Sequence, residues 1–284
     1  MGANQLPFAF YRKDDNIMII GFWQPIAGHG GSSVNCVSVA SAMVLKYKLN
    51  CVVLQTHFSG NNLSHFLIGE GNQDDVYNNS GIDGLFRMFK TGNGFEEIES
   101  LANTFYGNPA VLDLIGGTMK SNPVIYREDF LDNFDKTFTT LDAKYDIVFV
   151  DIQAGNSEIS RKALSRCDYV VCGVTQEYHM LYHLFKDYEV NMQKTVFLVG
   201  NYDSNLKLNY KNMIKKFKQF SANNLLYLPR CIELANAIND SAAAKFFATY
   251  LGLSKREKKK IAPDTASFLA ALDAVTEYIY SLVK

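Results

Sequence analysis

Short apolar runs alternate with longer stretches of helical spacing along most of the chain. Candidate strands are 17–22, 51–55, 110–114, 147–150, 169–174, 196–200 and 224–228, rich in Val, Ile, Leu and Phe. Their apolar residues are continuous and do not alternate with polar ones. Strands of that kind are covered on both faces, as in a parallel sheet. Between them the spacing predicts helices over 34–47, 81–91, 94–104, 127–142, 157–166, 177–192, 208–221 and 232–249. Strands and helices in alternation predict an α/β fold, a doubly wound and mostly parallel sheet with helices on both faces. The last stretch, 264–284, spaces Phe268, Leu272, Val275, Ile279 and Leu282 by three or four, which predicts an amphipathic closing helix.

No internal repeat, low-complexity tract or Pro/Ser-rich linker divides the chain. One domain over 1–284 is expected, with 1–15 as an N-terminal extension. Residues 69–80 (GEGNQDDVYNNS) read as a polar loop. The charge run 255–260 (KREKKK) reads as a solvated helix end, or as a contact to DNA or anionic lipid.

Composition narrows the function classes. With 284 residues, 48% hydrophobic and 20% charged, the chain has the makeup of a globular protein. Its net charge of −1 creates no global field toward nucleic acid, so DNA is left to local patches and is not the favoured partner. The five cysteines are an odd number without a CxxC pair, and they read as buried free thiols of a reducing cytoplasm. The N-terminus lacks the pattern of a signal peptide, and no run of about 18 apolar residues occurs. A cytoplasmic location without an integral membrane segment is therefore expected.

The candidate chemistry begins after the first strand. Residues 23–33 (WQPIAGHGGSS) form a glycine-rich turn that leads into a helix. Strand, glycine turn and helix are the context of a phosphate loop, where backbone N–H groups and the helix dipole face an anion. In the usual loop, G-x-x-x-x-G-K-[ST], the lysine reaches the β- and γ-phosphates and the hydroxyl holds Mg²⁺. Here the lysine slot is Ser32 and the hydroxyl slot is Ser33. Gly28, His29, Gly30, Gly31, Ser32, Ser33 and Val34 are the candidate nucleotide-binding residues. Such loops also use an acidic residue at the end of a neighbouring strand. Asp151, directly after the apolar run 147–150, supplies it. Ser33 and Asp151 are thus the candidate Mg²⁺ ligands, and ATP with Mg²⁺ is the candidate ligand, held weakly.

Other polar residues have two readings. His29 is either a phosphate donor, favoured by protonation, or a plain loop residue. Ser32 and Ser33 are also candidates to N-cap the following helix, and one of them is expected to do so. His57 and His65 flank the second loop and read as surface residues before catalytic ones, although His29 or His57 could substitute for a lost charged group. His179 and His183 lie four apart on a predicted helix, a spacing that suits a metal, but no third ligand is close in sequence.

Together these residues resemble the ParA/MinD group of P-loop ATPases, whose signature loop is K-G-G-x-G-K-[ST]. Ala27, Gly28, His29, Gly30, Gly31, Ser32 and Ser33 align with it. The helix VNCVSVASAMVLKYKLN looks like the family's first helix, and CVVL at 51–54 like its second strand. Segment 144–155 resembles its Asp-bearing strand, and SRCDYVVCGV at 165–174 a later one. Segment 196–201 resembles the strand ending in the Asn that touches the base, and 228–230 the loop near adenine. The resemblance spans about 16–284. It implies that Asn201 and Pro229 join the nucleotide site, that the chain forms a homodimer across its loops, and that it recruits protein partners.

Several family groups are replaced. The lysine that reaches across the dimer is Ala27, the loop lysine is Ser32, and the water-orienting aspartate falls at Thr56. The next aspartate of that loop falls at Phe58. Phosphoryl transfer rests on positioning and charge stabilisation, and losing one such group typically costs about 100- to 1000-fold in rate. The resemblance therefore implies at most a weak ATPase, acting as a nucleotide-binding or pseudo-ATPase positioning scaffold. The lysine-poor loop looks most like the TadZ/CpaE branch, which implies a role in placing pilus or secretion machinery. The alternative is an active ParA-type ATPase that partitions plasmid or mobile-element DNA. An α/β enzyme using the turn for another anion would need a catalytic dyad, and the sequence suggests none. The closing helix carries Asp273 and Glu277 and only Lys284 as a base, so its stripe reads as core packing and not as a membrane tether.

Overall fold

A computed structural model describes residues 17–58, 63, 67, 81–92, 102–106 and 109–283. The N-terminal extension, the 69–80 loop, His65 and most of the predicted 94–104 helix lie outside them.

Eight strands form one sheet: β1 (Met18–Trp23), β2 (Cys51–Gln55), β3 (Asn103–Tyr106), β4 (Leu112–Ile115), β5 (Ile147–Asp151), β6 (Tyr169–Val174), β7 (Thr195–Tyr202) and β8 (Leu225–Pro229). Their order is β3-β4-β2-β5-β1-β6-β7-β8. Every neighbouring pair is parallel except β3 and β4. All seven predicted strands are present. β3 is the correction: its first two residues fall in a predicted helix. NTFY is β-prone, and the open edge of β4 offers it a partner, which outweighs the local spacing.

The helices are α1 (Ser32–Ala42), α2 (Gly81–Thr91), α3 (Pro123–Asp142), α4 (Glu158–Arg166), α5 (Tyr178–Asp187), α6 (Tyr210–Lys216), α7 (Ile232–Asn239), α8 (Ala243–Leu251), α9 (Lys255–Lys258) and α10 (Pro263–Val283). α1 runs on into a π-helical turn, Met43–Tyr47. The predicted 232–249 helix is two helices, broken where Ser241 takes φ 52°. α5 and α6 stop at Asp187 and Lys216, short of their predicted ends. The charge run begins as α9, opened by a Ser254–Glu257 capping box.

Successive strand residues feed two cores, as the pleat requires. Cys51 and Val53 of β2, with Ile147 and Phe149 of β5, face a core packed by α1, α8 and α10. Val52, Leu54, Val148 and Val150 face the other, packed by α3, α4 and α5. That second core holds a run of rings on one face of α3, Phe130, Phe134 and Phe138, with successive centroids 5.6 and 5.0 Å apart. All five cysteines are buried and free. α10 is long and apolar enough by composition to cross a membrane. Its stripe of Phe268, Leu269, Leu272, Val275, Ile279 and Val283 is instead buried in the first core.

Phe149 is fully buried at the centre of the sheet. Phe149→Ala is expected to cost about 3–5 kcal/mol, read as a lower denaturant midpoint at unchanged slope.

Candidate functional site

The loop between β1 and α1 is anchored before it turns. Trp23 Nε1 donates to the Gly155 carbonyl at 2.9 Å, and Gly155 N returns a bond to the Gln24 carbonyl at 3.1 Å. Tyr188 OH donates to the Pro25 carbonyl at 3.0 Å. The chain then reaches Gly31, which N-caps α1 with φ 63°, a left-handed conformation that suits glycine. Neither serine caps the helix, contrary to expectation. Both already lie in its first turn, so the cap position falls to Gly31.

Beneath the loop, β6 and β7 come close through glycines. A Cβ on Gly30 would lie 2.7 Å from the Gly173 carbonyl, and one on Gly200 would lie 2.7 Å from Gly30 O. Asn35 of α1 donates to that same Gly30 carbonyl at 3.1 Å. Gln24 Oε1 accepts from Gly30 N at 2.8 Å and from Ser32 N at 3.3 Å. The Ser32 hydroxyl is buried without a hydrogen-bond partner.

Ser33 points the other way. Its Oγ lies 3.0 Å from both carboxylate oxygens of the fully buried Asp151. Gln55 Nε2 donates to Oδ2 at 3.3 Å. His57 is mostly buried and not at the surface as expected, because it packs beside this carboxylate. Its Nε2 is 3.3 Å from Oδ2, close enough for an ion pair but not aligned as a hydrogen bond. Burial works against the charged imidazole, but the Asp151 carboxylate and the Ile152 backbone outweigh it and raise the His57 pKa.

The positions where the resemblance places carboxylates serve the framework. Thr56 is buried, its N–H donates to Asp151 O at 3.0 Å, and its Oγ1 accepts from Gln153 N at 3.0 Å. Tyr126 OH donates to the Thr56 carbonyl at 3.0 Å, and Phe58 packs against the Tyr126 ring.

A cleft of about 390 Å³ opens over this arrangement, lined by Gln24, Ala27, Gly28, Gly31, Ser32, Ser33, Val34, His57, Gln153 and Ala154. No lysine or arginine is among them. His29 is exposed, and its Nδ1 sits 2.9 Å from the Ala27 carbonyl. Asn201, at φ 50°, and Pro229 lie near the C-terminal ends of β7 and β8 and do not line the cleft. His183 bonds Asp187 at 2.8 Å, and no cluster of three metal-ligating residues occurs among the described residues.

A Mg²⁺-nucleotide would have to exchange its own contacts for bonds these residues already make. Two amides of the cradle are bonded to Gln24, and the Ser33 hydroxyl is bonded directly to Asp151. Sequence reasoning found Ser33 and Asp151 but missed Gln24, Asn35 and Gln55. No short motif marks these three. They act through contacts across 5 to 96 residues of chain.

No protein-family model matches the chain, and no curated protein sequence matches it. Solved structures do. A ParA family ATPase from Chlorobium tepidum superposes with TM-score 0.65 at 13% identity, covering 91% of this chain and 97% of that one. The cell division ATPase MinD of Pyrococcus furiosus gives 0.64 at 13%, covering 93% and 99%. The septum site-determining protein MinD of Pyrococcus horikoshii, complexed with Mg-ADP, gives 0.60 at 12%, covering 94% and 99%. The fold is that of the ParA/MinD P-loop ATPases.

Ser33→Ala would leave the buried Asp151 short of a donor. A loss of about 1–3 kcal/mol is expected, read as a lower melting temperature. An unchanged melting temperature would show that the hydroxyl does not satisfy the carboxylate.

Proposed function

We propose that this chain is a divergent ParA/MinD-like positioning scaffold, a single cytoplasmic domain that keeps the ATPase shape with little of its chemistry. The observation that carries this reading is the cleft. Among the described residues its wall holds no lysine or arginine, and Thr56 and Phe58 are committed to the framework. Phosphoryl transfer needs charge stabilisation on the transferred group, and among the described residues this wall offers only His57, which is turned to Asp151.

The scaffold would form a homodimer through the loop face and recruit protein partners of a localisation or assembly system, with pilus or secretion machinery as the favoured type. Nucleotide and Mg²⁺, if taken up, are held weakly by Gly28 to Val34, with Asn201 and Pro229 toward the base and Ser33 with Asp151 toward the metal. Partition of plasmid or mobile-element DNA by an active ATPase is the lesser reading, since the net charge is −1 and the cleft lacks lysine.

Calorimetric titration with Mg-ATP is expected to show weak heats, and phosphate release to stay near background in both the wild type and Asp151→Ala. Robust turnover that Asp151→Ala abolishes would sink the scaffold reading.

A further inference from the structure

We infer that Gln24 is an internal stand-in for the anion that the loop is shaped to hold. Its side-chain oxygen sits in the concavity formed by the Gly30 and Ser32 amides at the start of α1. Backbone N–H groups arranged in this way hold phosphate oxygens in phosphate loops. Here a neutral carbonyl of the same chain takes two of them.

The placement follows from the anchors around it. The backbone of Gln24 is held by Gly155, the preceding Trp23 indole is bonded to Gly155, and the following Pro25 is bonded by Tyr188. With its main chain fixed at the end of β1, the side chain reaches the Gly30 and Ser32 amides. Gly30 must be glycine for this closure, because a Cβ there would lie 2.8 Å from Gln24 Oε1 as well as against Gly173. The Ser32 hydroxyl, buried beside Gly173 without a hydrogen-bond partner, is a further donor not used by Gln24.

Two consequences follow. Gln24 holds the Gly30 and Ser32 amides in the arrangement that a phosphate would need. Any phosphate that enters must first displace Gln24, which lowers its apparent affinity. The ligand class is a phosphate group, either of a nucleoside diphosphate or of inorganic pyrophosphate. The inference rests on the phosphate-loop reading of the site, but it does not require that ATP turnover be absent.

The experiment compares the full chain with Gln24→Ala and Gln24→Glu. Titrations use pyrophosphate with Mg²⁺ and, separately, Mg-ADP. Gln24→Ala is expected to tighten both by about tenfold, the worth of two hydrogen bonds no longer to be displaced. Gln24→Glu keeps the acceptor and adds a negative charge, so it is expected to bind both more weakly than wild type. A gain for Mg-ADP alone would assign the vacated place to a nucleotide, and a gain for both would assign it to the phosphate group itself.

Amide exchange in the unliganded wild type provides a test that needs no variant. The Gly30 and Ser32 N–H groups are expected to exchange slowly, and Gln24→Ala to speed them. Fast exchange of both in the wild type, or unchanged affinity for both probes in a folded Gln24→Ala, would overturn the inference. Turnover by the wild type would overturn the scaffold reading and leave this one standing.

Discussion

The buried carboxyl group of Asp151 is the constraint on which the centre of the molecule depends. A carboxylate removed from water must find donors, or its burial costs several kcal/mol. It finds them on separate elements: Ser33 in the first turn of α1 and Gln55 at the end of β2, with His57 just beyond. Thr56 ties the same point through its main chain and side chain. The ends of β2 and β5 and the start of α1 are therefore set with respect to one another by one group. The glycine-rich turn between β1 and α1 is stretched between that point and the glycine contacts of β6 and β7.

This arrangement bears on how such a protein would work. A ligand drives a conformational change only by as much as it binds one state better than another. In a loop whose amides already have an acceptor, and whose serine already has a carboxylate, a nucleotide has fewer unmet groups to satisfy. The same contacts that keep the ParA/MinD shape reduce what a ligand can add to it.

The fold was legible in the sequence because a parallel sheet covered on both faces demands continuous apolar strands. Seven of the eight strands could be read from that alone. The eighth, β3, could not, since its four residues become a strand by pairing with the edge of β4. The glycine turn and Asp151 were legible because their residue types and order are tied to strand ends. His57 was misplaced to the surface because nothing in its neighbours reveals a carboxylate from a strand almost 100 residues away.

The sequence by itself determined the alternation of elements, the apolar faces, the glycine turn and the missing lysines. These are local properties, set by side-chain type and by spacing along the chain. The tertiary structure alone decided what stands in the cradle. Gln24 reads as an ordinary polar residue until the turn folds back and places the Gly30 and Ser32 amides on its carbonyl. Hydrogen bonds between groups brought together by a turn, or by adjacent strand ends, depend on distance in space, and spacing along the chain does not record it.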